Sequence, residues 1–203
     1  MTPKRASQDW HTRSASMPDP DRALLDFPLE RLWALFPMRL QAHCAAWQAW
    51  YAEEKAQLQT LLGEDALAIH HIGSTAIAGI RAKPIVDILV ETPDPAALQR
   101  AAKRLDESGY LPMSRSDGRI TFNKGYTLQG YAARVFHIHL RLAGDTDEVA
   151  FRDLLRSRAD LAQAYEALKI RLLAEHAPDR DAYTAGKSAF ISASKGKGRG
   201  KAC

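Results

Sequence analysis

Several residues of this chain have the types and spacing to act on a phosphorylated molecule. Gly73-Ser74 closes an apolar segment, Leu67 to Ile72, that reads as a strand. A glycine at such a turn leaves its backbone and the next hydroxyl open to close approach by an anion. Asp87 interrupts the run Ile85-Val86-Asp87-Ile88-Leu89-Val90, whose other members suit a central strand. A carboxylate placed there must be paired, hydrogen-bonded or bound to metal. Lys83 and Arg81, just upstream, are placed to neutralise phosphate charge. His137 and His139, in Phe136-His137-Ile138-His139-Leu140, share one face of a further strand with Cα atoms roughly 7 Å apart. Arg152 and Arg156 lie one helical turn apart and are able to face one anion. Read singly, one of the histidines serves equally as a hydrogen-bonded core residue, and the two arginines as a solvated basic face.

These groups need elements to hold them. A long helix is expected from about Met38, with Cys44, Trp47, Tyr51, Leu58 and Leu62 on one face and Gly63 as its stop. Trp47 and Trp50 read as core residues. Asp94-Pro95 marks a helix start, Leu98, Ala101, Ala102 and Leu105 its buried stripe, and Gly109 its end. Ser116-Asp117-Gly118 reads as a turn, Arg119 to Asn123 as a strand, and Arg134 to Leu142 as a third core strand. From about Asp147 the pattern is helical to residue 193. Leu161, Tyr165, Leu168 and Leu172 share a face, Pro178-Asp179 makes a break, and a last helix carries Tyr183, Lys187, Phe190 and Ile191. The fold class is α/β (or α+β): a mixed sheet flanked by helices, with a helical C-terminal segment.

The 203 residues suffice for one well-buried domain. Residues 1–26 are polar, proline-spotted and aperiodic, and read as a disordered arm; 27–193 form the domain; 194–203 form a flexible basic tail. The net charge of +4 matches the four cations Lys195, Lys197, Arg199 and Lys201 of that tail, so the remainder is neutral. The pI of about 9.1 is therefore no sign of a nucleic-acid surface on the fold. Nucleic acid is not an expected partner beyond weak, salt-sensitive contact by the tail. No apolar stretch approaches the ~18 residues of a membrane span, and no signal-peptide core stands at the start. Cys44 and Cys203 sit in unrelated contexts, which fits reduced thiols and a cytoplasmic location.

His71-Ile72-Gly73-Ser74-Thr75, Gly79 and Lys83-Pro84-Ile85-Val86-Asp87-Ile88 resemble the GrpB family, a branch of the nucleotidyltransferase superfamily of the DNA polymerase β type. The resemblance extends over roughly residues 38–192 and takes in the His-hydrophobic-His strand, Phe151-Arg152-Asp153 with Arg156, Lys169, Tyr183 and Lys187. It implies a metal-dependent transfer of a nucleoside monophosphate from a nucleoside triphosphate to an unknown acceptor. Gly73, Ser74, Thr75, Lys83, Arg152, Arg156, Lys169 and Lys187 would bind the nucleotide and its phosphates. Asp87, His137 and His139 would be catalytic, with Asp87 and His139 on the metal. Mg2+ is the expected ion, with Mn2+ or Zn2+ as alternatives that suit histidine better. Fusion of some family members to dephospho-coenzyme A kinase points, by association, to coenzyme A or nucleotide metabolism.

The superfamily usually sets a second carboxylate two residues after the first, and here that position is Leu89. Glu91 is the next acid on the same face, but four residues of strand put its Cα about 13 Å from that of Asp87. Ala78-Gly79-Ile80 replaces the more usual Pro-Gly-Leu, and His70 stands where many members carry an acid. Two readings follow: a nucleotidyltransferase, or a nucleotide- or phosphometabolite-binding module that kept the cradle and lost catalysis. A third is purely structural, with Asp87 held by Lys83 or an arginine. Gly186-Lys187-Ser188 lacks the first glycine of a P-loop, since position 181 is Asp, and is set aside.

Overall fold

The computed structural model describes residues 20–177 and 179–198. A 3-10 turn, Pro20–Asp26, leads into helices α1 (Leu29–Leu35) and α2 (Ala46–Leu62). Strands β1 (Ala68–Ile72) and β2 (Val86–Thr92) follow, then α3 (Pro95–Glu107), β3 (Leu111–Ser116), β4 (Arg119–Thr127) and β5 (Gly130–Leu142). Helices α4 (Asp147–Ser157), α5 (Ala159–His176) and α6 (Arg180–Gly198) complete the order. The strands form one mixed sheet in the order β1-β2-β5-β4-β3, with β2 and β5 parallel and the other neighbours antiparallel. The expected α/β class is what the chain adopts.

Period-two alternation divides the sheet into two faces. Val86, Ile88 and Val90 of β2, with Phe136, Ile138 and Leu140 of β5 and Ile120 and Phe122 of β4, pack against α2 and α3. Trp47, Leu58, Leu62 and Leu105 close that core at zero exposure. The stripe on α3 is buried as its spacing requires, and Asp94 caps the helix by accepting from the Ala97 N–H at 2.8 Å. The opposite face of β2 and β5 carries Asp87, Leu89 and Glu91 beside His137, His139 and Arg141. Helices α4 to α6 close over the connection after β1, packing Leu155, Leu161 and Tyr165 onto Ile77 and Ile80.

Strands β4 and β5 extend beyond the expected 119–123 and 134–142, to Thr127 and back to Gly130, and the larger departures lie toward the two ends of the chain. The long helix begins at Ala46 rather than near Met38. Gln41 instead exchanges two backbone hydrogen bonds of 3.0 Å with Ala82, which holds this segment out of the helix. The end of the expected arm is structured: Leu24 is buried, Arg22 pairs with Asp106 at 2.7 Å, and Asp21 accepts from the Leu128 N–H. One buried residue in a seven-residue turn leaves no period to detect. The last helix continues to Gly198, because extending a formed helix is far easier than starting one. Residues 1–19, Pro178, residues 199–203 and hence Cys203 lie outside the described residues. Among the described residues, Cys44 is a free thiol and no helix is long and apolar enough to cross a membrane.

Candidate functional site

The connection from Gly73 to Ile85 is long for an antiparallel pair and is held open by arms from the C-terminal helices. Arg152 of α4 donates to the His71 carbonyl at 2.8 Å, and Arg156 donates to the Ala76 carbonyl at 2.9 Å. Lys169 of α5 donates to the Arg81 carbonyl, and Glu166 accepts from the Arg81 N–H at 2.7 Å. At the start of the connection His71 stacks on Tyr51, with ring centroids 4.7 Å apart, and its Nε2 lies 3.0 Å from Thr75 Oγ1. Burial lowers the His71 pKa to about 4, so it stays neutral while pinning the turn. Gly73 has φ +69°, and a Cβ there would run into the Asp87 carboxylate. The turn therefore needs glycine twice over, for its backbone and for its approach to the acid.

Two cavities meet at this turn. The larger, about 340 Å³, is lined by Gly73, Ser74, Asp87, His139, Arg152 and Tyr165, with Ile77, Phe151 and Ile191 as its apolar wall. Arg119, Asp147 and Glu148 reach it from the sheet and α4. The smaller, about 130 Å³, shares Gly73, Ser74, Asp87 and Tyr165 and adds Thr75, Lys83, Lys169, Tyr183 and Lys187. The three lysines come from the connection, α5 and α6. Those two helices approach closely at Gly186, where a Cβ would collide with Leu172. Lys83 and Lys187 both lie over the Tyr183 ring, 5.0 and 4.8 Å from its centroid. Burial, with repulsion from Lys187 and Arg180, lowers the Lys83 pKa to about 8. Burial brings Lys169 to about 8 as well, and lowers Lys187.

Asp87 lies beside the two histidines: its Oδ1 is 3.1 Å from His137 Nδ1 and 3.4 Å from His139 Nε2. Burial alone would raise the Asp87 carboxyl, but the hydrogen bonds and charge of the histidines hold it well below the usual carboxylate range. Burial lowers His137 despite its acid neighbour. The purely structural account of Asp87, through Lys83 or an arginine, does not describe these contacts. Glu91 does not serve as a second carboxylate: it pairs with His70 at 2.7 Å, and Leu89 is fully buried between. As a metal site, Asp87, His137 and His139 offer one carboxylate and two imidazoles. That set fits a borderline divalent ion; Mg2+, which prefers oxygen donors, it suits poorly.

The structure thus gathers Gly73, Ser74, Thr75, Lys83, Asp87, Lys169 and Lys187 at one pocket, and Arg152 and His139 at the adjoining cleft. His137 stands beside Asp87. Arg156 and Arg81 are not in the lining of either cavity: Arg156 is engaged with Ala76, and Arg81 is exposed. Helical spacing gave the two arginines a common side but not the carbonyls they meet. Sequence reasoning missed the aromatic walls. Tyr165 is legible in the sequence only as a core residue, yet it lines both cavities. Tyr126, whose hydroxyl lies 2.8 Å from His137 Nε2, gave no signal because its partner is eleven residues away across a bulged strand pair.

The Glutamate-rich protein GrpB of Alkalihalophilus pseudofirmus is 34% identical over 158 residues, a match covering 75% of this chain and 90% of that protein. The UPF0157 protein YqkA of Bacillus subtilis is also 34% identical, over 150 residues, but this match spans only 42% of YqkA. The crystal structure of conserved protein GrpB from Enterococcus faecalis superposes with a TM-score of 0.68 at 28% identity, covering 79% of this chain and 96% of that one. The Cid1 poly(U) polymerase gives a TM-score of 0.47 at 11% identity over 72% of this chain and 46% of its own, too distant to bear on function. The family model described as GrpB protein matches residues 37–197, and the chain belongs to the GrpB family.

Proposed function

We propose that this protein binds the polyphosphate of a nucleoside triphosphate in the lysine pocket and transfers the nucleotidyl group to an acceptor held in the larger cleft. One observation carries the reading: three lysines from three separate elements converge with the Gly73-Ser74-Thr75 turn on one small cavity. Asp87 is the sole acid among its described lining residues, so the pocket has an excess of positive charge. Like charges brought together at partial burial repel, and a polyanion is the ligand that relieves them.

Lys83, Lys169 and Lys187 hold the terminal phosphates, while Ser74 and the adjacent backbone hold the α-phosphate end. Gly73, Ser74, Asp87 and Tyr165 border both cavities, which puts the α-phosphorus where the cavities meet. An acceptor hydroxyl entering from the cleft forms the new P–O bond on one side. The bond to the bridging oxygen breaks on the other, and pyrophosphate stays with the lysines. Asp147 and Glu148 are the acids of the cleft lining besides Asp87; Glu148 also accepts from Arg141 at 3.0 Å, and the acceptor's proton passes to one of this pair. Asp87, His137 and His139 supply the ligands of a divalent ion, whose chemistry when bound is charge neutralisation at the phosphates.

A second reading, binding without transfer, is favoured by one specific feature: Leu89 occupies the place of a second carboxylate and Glu91 is committed to His70. Calorimetry against ATP, GTP, CTP, UTP, coenzyme A and dephospho-coenzyme A, followed by an assay for released pyrophosphate, separates the two. Binding of a triphosphate with pyrophosphate release that disappears in Asp87→Asn supports transfer. Binding with no release supports the module. Absence of any binding removes both.

A further inference from the structure

Asp87 and His137 sit opposite each other on adjacent parallel strands, and His139 follows two residues on, opposite Leu89. One ligand atom from each of the three lies within 4.8 Å of the others. The donor atoms of a tetrahedral ion bonded at ~2.0–2.1 Å are about 3.3 Å apart. The observed separations of 3.1 and 3.4 Å from Asp87 Oδ1 are close to that spacing.

The surroundings are those of ligands rather than of an internal ion pair. Asp87, His137 and His139 keep 27%, 20% and 19% of their side-chain surface accessible, and Asp87 and His139 line the larger cleft. The far nitrogen of His137 is fixed by the buried Tyr126 hydroxyl at 2.8 Å. That contact can take the Nε2 proton and leave the Nδ1 lone pair facing Asp87. The far nitrogen of His139 lies 3.4 Å from Thr121 Oγ1, a hydroxyl able to accept from Nδ1–H. Such outer contacts orient metal-bound imidazoles. Leu89, fully buried, removes the second carboxylate that a magnesium site would use.

We infer that Asp87, His137 and His139 together form a three-ligand site for a borderline transition ion of the zinc type in preference to magnesium, with its remaining positions open to the cleft. His137 is thereby a ligand in its own right, and Tyr126 a positioning residue that acts through it. This inference rests on the reading above, which places a divalent ion on the same three residues, but the titration contains no nucleotide, so its failure removes the ion and leaves phosphate binding by the lysines to be tested separately.

The test uses the full chain, stripped with a chelator and titrated with Co2+ followed by its visible absorption, then with Zn2+ by calorimetry, with no nucleotide present. One ion per chain should bind, Zn2+ should displace Co2+, and a thousandfold excess of Mg2+ should not. His137→Gln, His139→Gln and Asp87→Asn should each weaken binding at least a hundredfold. Tyr126→Phe should weaken it about ten- to a hundredfold, with circular dichroism confirming that each variant folds. Displacement by Mg2+ at concentrations comparable to Co2+, or unchanged binding in the two histidine variants, overturns the inference. Should those variants not fold, the wild type decides. Zn2+ must shift the ring-nitrogen resonances of two histidines among the chain's seven, and an unchanged spectrum overturns the site.

Discussion

Two clusters of buried charge lie on opposite sides of the sheet, and only one is self-sufficient. On the α2 side, Glu54 is 3% exposed and accepts from the Tyr110 hydroxyl at 2.5 Å. Lys124 Nζ reaches its two oxygens at 3.0 and 2.7 Å. The anion has its cation and a neutral donor, and neither cavity described above adjoins it. Burial and the Glu54 contact push the Tyr110 hydroxyl far above its ordinary pKa, so it remains a donor. On the other side, Lys83, Lys169 and Lys187 surround open space, with Asp87 turned toward its histidines. A balanced cluster is explained by the fold that contains it. An unbalanced cluster around a cavity needs something from outside.

The contrast predicts opposite responses to removing a charge. The largest effect falls on the balanced side: Glu54→Gln should lose about 2–4 kcal/mol in denaturant unfolding, because Lys124 loses its counter-charge and an NH2 replaces one of the two buried acceptor oxygens. A loss below ~1 kcal/mol would make the two clusters alike and remove the comparison. Lys83→Met should change stability by under ~1 kcal/mol, and in the favourable direction, since it deletes a buried repelled charge. The same variant should weaken triphosphate binding at least tenfold by calorimetry. A destabilised Lys83→Met would show the lysine pocket to be structural.

pH sharpens the point. Lys83 and Lys169 titrate near 8 when folded and near 10.5 when unfolded. Between those values the unfolded chain holds more protons, so their contribution to stability rises with pH across pH 8–10.5 and is least below 8. Wild-type melting temperature, compared with that of a Lys83→Met/Lys169→Met double variant, should show this rise as a difference that closes toward pH 10. Triphosphate binding should run the other way, weakening as pH increases through about 8. The smallest signal is in coupling energies. A double-mutant cycle on Lys83 and Lys187 should give a repulsive term of roughly 0.5–1 kcal/mol, and one on Glu54 and Lys124 an attractive term.

Much of the fold was legible because its signals are local. The stripe on α3 with its Asp94 cap, the Ser116-Asp117-Gly118 turn, and the alternation along β5 each depend on residues near one another in sequence. Gly73 with Asp87 was legible for a related reason: a glycine at a strand end and a lone acid in an apolar run are both anomalies that need an explanation. What escaped was set at a distance. The segment before α2 reads as helix in the sequence, whereas its course is set by the bridge to Ala82. Helical spacing sets Arg156 beside Arg152 but does not show the Ala76 carbonyl to which its Nε donates, and nothing in the sequence marks the roles of Tyr165 and Tyr126.

The amino-acid sequence alone determined which chemistry the chain carries: a glycine-serine turn, one strand carboxylate, a pair of same-face histidines and dispersed lysines. It also determined family membership, since residues 37–197 match as a unit. Only the tertiary structure decided that Lys83, Lys169 and Lys187, spread over a hundred residues of chain, share one cavity. It also decided that Glu91 turns to His70 while His137 and His139 turn to Asp87. The physical reason is that periodicity fixes which face of an element a side chain occupies, whereas the partner it meets there depends on register and packing between elements.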